Sequence, residues 1–297
     1  MRSTSPTSDD NDCSSILSAD QIEAFCRDGV LVVHDFLSSD ELRAYTAALH
    51  DSLASHGIDV NDLATTGHRL ATLSSTNGSG GVLDVFYDEW KLELAVNAKL
   101  FRMTSQLWEH ALFHDGQEEP DSDDVDNYYK WHPFGPFNCC RGYMYVDRIG
   151  YRLPTRLARQ LGASKKKPLQ RSLTPHLDCC PEDLWGVNHN NKWRPIQCFV
   201  ALEGDTVLAN HGGLEAARGF HRHFHQWAAA RSSPGGGEET EPSLCRGAYT
   251  HMRPQEDKEV MDRVQHVPVP VGSLVFWDHR CVLLDCTSPY LSPPSFS

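Results

Sequence analysis

The sequence predicts an α+β fold with helices first and strands after. Three observations predict it. Capping-box spacings at Ser18 with Gln21 and Ser38 with Glu41 open two helices near the N-terminus. From Leu173 onward apolar residues fall in short runs broken by Gly, Pro and Asn, the pattern of strands and turns. No internal repeat is present. Helices that precede strands, instead of alternating with them, buttress an antiparallel sheet or barrel.

Taken in order, residues 1–17 are rich in Ser and Asp and read as a disordered tail without the apolar stretch of a secretory signal. Ser18 then caps a short helix whose apolar side is Ile22 and Phe25, ended by Gly29, and residues 30–33 read as a buried strand. Leu42, Tyr45, Leu49 and Leu53 give a second helix to about His56. Residues 57–81 read as a loop region. Leu92, Val96, Leu100, Met103 and Leu107 predict one helix over about 87–110. The acidic run within 117–126 reads as solvated. A strand is expected at 144–149, and helix then loop over 152–168. The later strands are expected at 173–178, 195–203, 213–218, 265–271 and 273–277. A helix at 221–231 and an exposed loop at 232–242 interrupt them.

Composition excludes several function classes. The 297 residues are 40% hydrophobic and 23% charged, ordinary for a globular chain, with a formal net charge of −13. That balance argues against nucleic-acid binding through phosphate contacts, and the lone basic run, Lys165 to Lys167, reads as solvated loop. No apolar run is long enough to span a bilayer. Ten cysteines include two adjacent pairs but no C-x-x-C, so reduced thiols in an intracellular, cytoplasmic setting are expected.

The chemistry centres on Thr174-Pro175-His176-Leu177-Asp178. Residues i and i+2 of an extended strand share a face, so His176 and Asp178 present an imidazole and a carboxylate side by side. They make two-thirds of a 2-His-1-carboxylate facial triad, which holds Fe(II) and leaves positions open. His221, His223 and His225 form a second cluster, read as hydrogen-bonded or solvated because no H-E-x-x-H pattern accompanies it.

Further segments follow the H-x-D at ordered spacing: Trp193-Arg194-Pro195-Ile196-Gln197, Asn210-His211-Gly212-Gly213-Leu214-Glu215, Ala217-Arg218-Gly219-Phe220-His221, and Gly272-Ser273-Leu274-Val275-Phe276-Trp277-Asp278. With Asp28-Gly29-Val30-Leu31-Val32-Val33, the chain resembles the phytanoyl-CoA dioxygenase family of Fe(II)- and 2-oxoglutarate-dependent oxygenases. The resemblance implies a double-stranded β-helix, or jelly roll, over residues 18–280, with the H-x-D at its mouth. It implies Fe(II), 2-oxoglutarate as co-substrate, ascorbate as supporting reductant, and a small organic or lipid-like substrate to hydroxylate. His221 matches a position that holds no iron in the family. Candidates for the pocket are Gln197 and Tyr145, with Phe199 and Trp185 beside them, and His189 and His211 near the core segment in sequence.

The chain departs from the family after Arg280. Leu283 stands where the family has its second histidine ligand, and no basic residue follows Arg280 to pair with the 2-oxoglutarate tail. Residues 281–297 are expected to be a non-matching tail without a strand, as an alternative splice form or misread exon end would give. His279 is the candidate that could close the triad. The competing readings are a non-catalytic jelly-roll domain that binds a ligand or partner through a vestigial site, and a zinc or manganese hydrolase on the same barrel.

Overall fold

The computed structural model describes residues 16–112, 131–132, 135–136, 144–180, 195–204, 206–209, 212–231, 249–253 and 255–285. Trp185, His189, His211, the acidic run and the loop at 232–242 lie outside these residues, as does most of the expected N-terminal tail.

Both capping boxes form. The Ser18 hydroxyl accepts the Gln21 N–H at 3.2 Å, and the Gln21 side chain accepts the Ser18 N–H at 2.9 Å, opening α1 (Ala19–Asp28). Gly29 closes α1 in the left-handed region at φ 69° and hands the chain to β1 (Val30–Val33). Ser38 and Glu41 repeat the device for α2 (Ser39–Ser55). The expected loop after it instead winds into short helical turns, including α3 (Leu63–Thr66), and buries Leu70 and Leu73. After β2 (Val82–Leu83), the single helix expected at 87–110 is two, α4 (Glu89–Ala95) and α5 (Ala98–Leu112). Asn97 explains the break. Its side-chain oxygen accepts the N–H groups of Lys99 and Leu100 at 2.9 and 3.1 Å, an N-cap that starts α5 afresh.

The strands β3 (Trp131–His132) and β4 (Gly135–Pro136) form a hairpin pair, and β5 (Ile149–Gly150) pairs with β2. The strand expected at 144–149 is therefore confined to its last residue. The Asp147 carboxylate accepts the Arg148 N–H and the Asp147 carbonyl accepts from the Lys91 ammonium, so side-chain bonds replace a ladder there. A short helix, α6 (Thr155–Leu161), leads to the exposed lysine run and on to β6 (His176–Leu177), β7 (Ile196–Val200) and β8 (Leu214–Ala217). A helical segment, Phe224–Arg231, precedes β9 (Thr250–His251), and Lys258–Met261 precedes β10 (Val264–Val267). The described chain ends with β11 (Leu274–Asp278) and β12 (Leu283–Asp285).

These strands form a three-stranded sheet, β1-β11-β7, and a five-stranded sheet, β10-β8-β12-β6-β9, and every ladder in both is antiparallel. Alternation sorts their side chains into layers. Leu31, Val33, Leu274 and Phe276 pack outward against Phe25, Leu100, Met103 and Leu107 of the N-terminal helices. Val30, Val275, Leu214, Ala216, Val267 and Leu283 meet between the two sheets. Leu177, Ala217 and Val282 pack outward from the five-stranded sheet against Phe220, Phe224 and Ala228. The fold is thus α+β, with two small facing sheets between helical layers.

Two expectations need correction. The sheet continues past residue 280: β12 lies inside the five-stranded sheet, between β8 and β6. The prolines that argue against a strand, Pro289, Pro293 and Pro294, all come after its last residue. Cys180 is disulfide-bonded, while its neighbour Cys179 is a free buried thiol.

Candidate metal centre

The strand β6 delivers the H-x-D pair. His176 Nε2 stands 3.3 Å from Asp178 Oδ1. The other ring nitrogen is engaged: His176 Nδ1–H donates to the Thr174 carbonyl at 2.8 Å. In the neutral ring that bond leaves the lone pair on Nε2, facing a carboxylate oxygen. Two acceptors face each other, and a proton or a cation between them resolves the contact. Burial pushes the His176 pKa down, but the hydrogen bond and charge of Asp178, with the Thr174 carbonyl, outweigh it and raise the pKa. A carbonyl or carboxylate holding the far nitrogen is also the usual support of a metal-ligating histidine.

The three-stranded sheet contributes from across the interior. Trp277 Nε1–H points at Asp178 Oδ2 at 3.4 Å, and Gln197 stands opposite Trp277 in the β11–β7 ladder, on the same face. Phe199, two residues on, packs its ring 5.9 Å from the Trp277 ring. Gln197 and Phe199 therefore line the face that looks toward Asp178. Tyr145 does not share that enclosure: it is 56% exposed, in the segment that local bonds keep out of a sheet.

On the five-stranded sheet the neighbours of His176 are set by register. Leu283 of β12 stands directly opposite on one side and His251 of β9 on the other. Leu283 is buried in the apolar interior and offers no lone pair. His279 is 2% exposed, and its N–H donates to the Pro195 carbonyl at 3.0 Å, one step beyond the β11–β7 ladder. Among the described residues no three His, Cys, Asp or Glu side chains form a group that could hold a metal. In this conformation the residues thus fit two-thirds of the three-ligand iron site that the resemblance implies, and His279 does not complete it.

Arg280 is already committed. Its Nε and Nη2 donate to Asp278 Oδ1 and Oδ2 at 2.9 and 2.6 Å, in the paired-fork geometry, with Asp278 1% exposed. Burial alone would raise the Asp278 pKa, but the charge and hydrogen bonds of Arg280, helped by His279 and His221, hold it well below the usual carboxylate range. His221 is structural in place. It is buried, with Nε2–H donating to the Cys26 carbonyl at 3.0 Å and Nδ1 3.9 Å from Cys281 Sγ. Burial lowers its pKa. A Cβ on Gly29 would come within 2.4 Å of both His221 Nδ1 and Cys281 Sγ, so only glycine fits that position.

Sequence reasoning missed Thr174, Trp277, Tyr249 and His251 as members of the site. Thr174 lies inside the motif, where attention goes to the ligands. Tyr249-Thr250-His251 repeats the two-residue spacing of the H-x-D, the one local signal that could have found it. Trp277 is placed by pairing across the interior, which no local pattern encodes.

No family model and no curated protein matches this chain. Solved structures do. A candidate oxidoreductase from Salmonella typhimurium LT2 aligns with a TM-score of 0.57 at 13% identity, covering 91% of this chain and 66% of that one. The GlcNAc inducible gene 2 product (DUF1479) of Candida albicans aligns with a TM-score of 0.58 at 13% identity, covering 93% and 61%. The chain therefore spans under two-thirds of the length of these structures, and at such identity the likeness is one of fold. The epimerase SnoN, solved with Fe3+, alpha ketoglutarate and nogalamycin RO, also matches at 16% identity over 90% of this chain and 76% of its own, but with a TM-score of 0.38. That superposition is too loose to map residues. No helix among the described residues is long and apolar enough to cross a membrane.

Proposed function

We propose that this chain is a jelly-roll domain of the phytanoyl-CoA dioxygenase type that takes a divalent metal on His176 and Asp178. The plan is that of a Fe(II)- and 2-oxoglutarate-dependent hydroxylase of a small organic or lipid-like substrate. The two facing antiparallel sheets support the fold, with β6 and β12 side by side, as a site shared between those strands requires. The observation that supports the metal reading is His176 Nε2 set 3.3 Å from the Asp178 carboxylate, with the far ring nitrogen held by the Thr174 carbonyl. In this reading Gln197 and Phe199 line the metal-facing cavity, and the domain runs from residue 18 past 280 to include β12.

The same site favours a second reading for this chain, a binding domain without oxidative turnover. Leu283 occupies the register position beside His176, and Arg280 is paired with Asp278. The test is succinate release from 2-oxoglutarate by the purified chain with Fe(II) and ascorbate, alongside Fe(II) equilibrium dialysis. No succinate above blank is expected, with metal retention lost in His176→Ala and in Asp178→Ala. Robust turnover that His279→Ala destroys would overturn the non-catalytic reading and make His279 the third ligand. Metal retention unchanged in both H-x-D variants would sink the metal reading itself.

A further inference from the structure

Charge is unevenly spread along this chain. Residues 151–171 hold seven Lys and Arg and no Asp or Glu. The whole chain has 27 basic and 40 acidic side chains, so outside this stretch acids outnumber bases two to one. The stretch is one closed unit. At its base the Gln170 side chain accepts the Leu153 N–H at 2.7 Å and donates to the Tyr151 carbonyl at 2.8 Å, and Arg152 Nη1 donates to the Arg171 carbonyl at 2.6 Å. Farther along, the Leu169 N–H donates to the Ala158 carbonyl at 2.7 Å, which folds the turn after α6 back onto that helix. A Cβ on Gly162 would stand 2.0 Å from the Lys167 carbonyl oxygen, so only glycine admits this close return. Leu153, Leu157, Ala158, Leu161 and Leu169 turn inward into one apolar cluster with the helical turns that follow α2.

With the apolar side chains inside, the cations are left outside. Arg156, Arg159, Lys165, Lys166, Lys167 and Arg171 are all exposed, and among the described residues none of the six is ion-paired. The turn packed beside α6, through Gly67 against Leu161, carries Asp59 and Asp62, and their carboxylates accept the N–H groups of Asn61 and Thr65 within that turn. We propose that this basic knob docks the protein on an anionic lipid surface. The other exposed positions of the unit select that partner. They are Pro154, Thr155, Gln160, Ala163, Ser164 and Pro168, with no aromatic or large aliphatic side chain among them. A protein partner is held by such anchors, and its interface favours Tyr, Trp and Arg over Lys. A single nucleic-acid strand is held by bases stacked on aromatic rings. A charged bilayer needs neither, because about four to eight Lys or Arg on one surface are enough to hold a protein to anionic headgroups. Three consecutive lysines, compact charges on flexible stems, suit diffuse headgroup charge that presents no fixed geometry. The same headgroups repel the acidic remainder of the chain, which turns the knob toward the membrane. The metal site plays no part in this docking.

The experiment is co-sedimentation of the full chain with vesicles of phosphatidylcholine alone and of phosphatidylcholine with phosphatidylserine. Binding is expected only where phosphatidylserine is present. It should fall as added salt shortens the screening length from about 10 Å at 0.1 M to about 3 Å at 1 M. Lys165→Gln, Lys166→Gln and Lys167→Gln combined in one variant should weaken binding at least about tenfold, since each Lys or Arg near such a surface contributes about fivefold. The same three lysines changed to arginine should bind as wild type does. Arg43→Gln, an exposed arginine on α2 away from the unit, should also leave binding unchanged. Circular dichroism checks the fold of each variant. Equal sedimentation with both lipids, none with either, or unchanged binding by the triple Gln variant overturns the inference. Loss of binding in the triple Arg variant or in Arg43→Gln overturns it too. Binding of an oligonucleotide or a polyglutamate peptide, with vesicles left unbound, assigns the knob to that class of partner and overturns the lipid reading.

Discussion

The two sheets do different jobs, and their construction differs accordingly. The three-stranded sheet has strands of four and five residues, paired in continuous register and covered by α1, α2 and α5. The five-stranded sheet carries His176 on β6, a strand of two residues like β9, and β6 meets β12 through a single pair, Leu283 with His176. Long ladders over an apolar layer define one packing. Short ones leave side chains facing the interior that need not be apolar, which is where a polar centre can sit. The comparison teaches that stability and chemistry are separated across the interior, with Trp277 reaching from one sheet to the other.

The separation can be broken most severely at the end of β11. Asp278→Asn leaves Arg280 buried without its counter-charge, and breaking such a pair costs about 3–5 kcal/mol. Urea denaturation should show the unfolding free energy fall by that amount. The pH profile follows from the same group. A carboxyl held below its unfolded value stabilises the fold fully above about pH 4 and loses that contribution as pH falls toward the folded value. Wild type should therefore lose stability in acid over a range where Asp278→Asn changes less.

Phe276→Ala empties a fully buried ring site between β11 and the helices and should cost about 3–5 kcal/mol by the same measurement. Ser18→Ala, at the edge of that helical layer, should cost about 1 kcal/mol. The smallest effect belongs to the site: His176→Ala removes a side chain that bonds the Thr174 carbonyl and faces Asp178, and should shift stability by about 1 kcal/mol while abolishing metal retention. A large loss of stability in His176→Ala would show that the two sheets are not divided in this way.

Local rules carried most of the scaffold. Ser18 and Ser38 announce their helices because a capping box is a contact between residues three apart. The strand windows in the second half agree because alternation is local too. The break at Asn97 was hidden because its cap lies inside an uninterrupted helical period, where apolar residues on both sides keep the same spacing. The strand β12 was hidden because three residues are too few for a pattern and the prolines beyond them dominate the window. At the site, His176 and Asp178 were legible as a pair two apart. Their cross-strand neighbours were legible only once register was known, since His251 and Leu283 are joined to His176 by pairing and not by sequence.

Pairing of β1 with β11 sets Val30 against Trp277, and Gly29 packs between His221 and Cys281. Among the described residues β1 has no other neighbour in the three-stranded sheet. During synthesis β1 thus emerges about 250 residues before the strand it pairs with, an interval on the order of tens of seconds at ordinary elongation rates. Until then the apolar faces of β1 and of α1, α2 and α5 have no sheet to cover them. Closure of so long a loop makes for slow folding. The nascent N-terminal third therefore keeps apolar surface uncovered until nearly all of the described chain has been made.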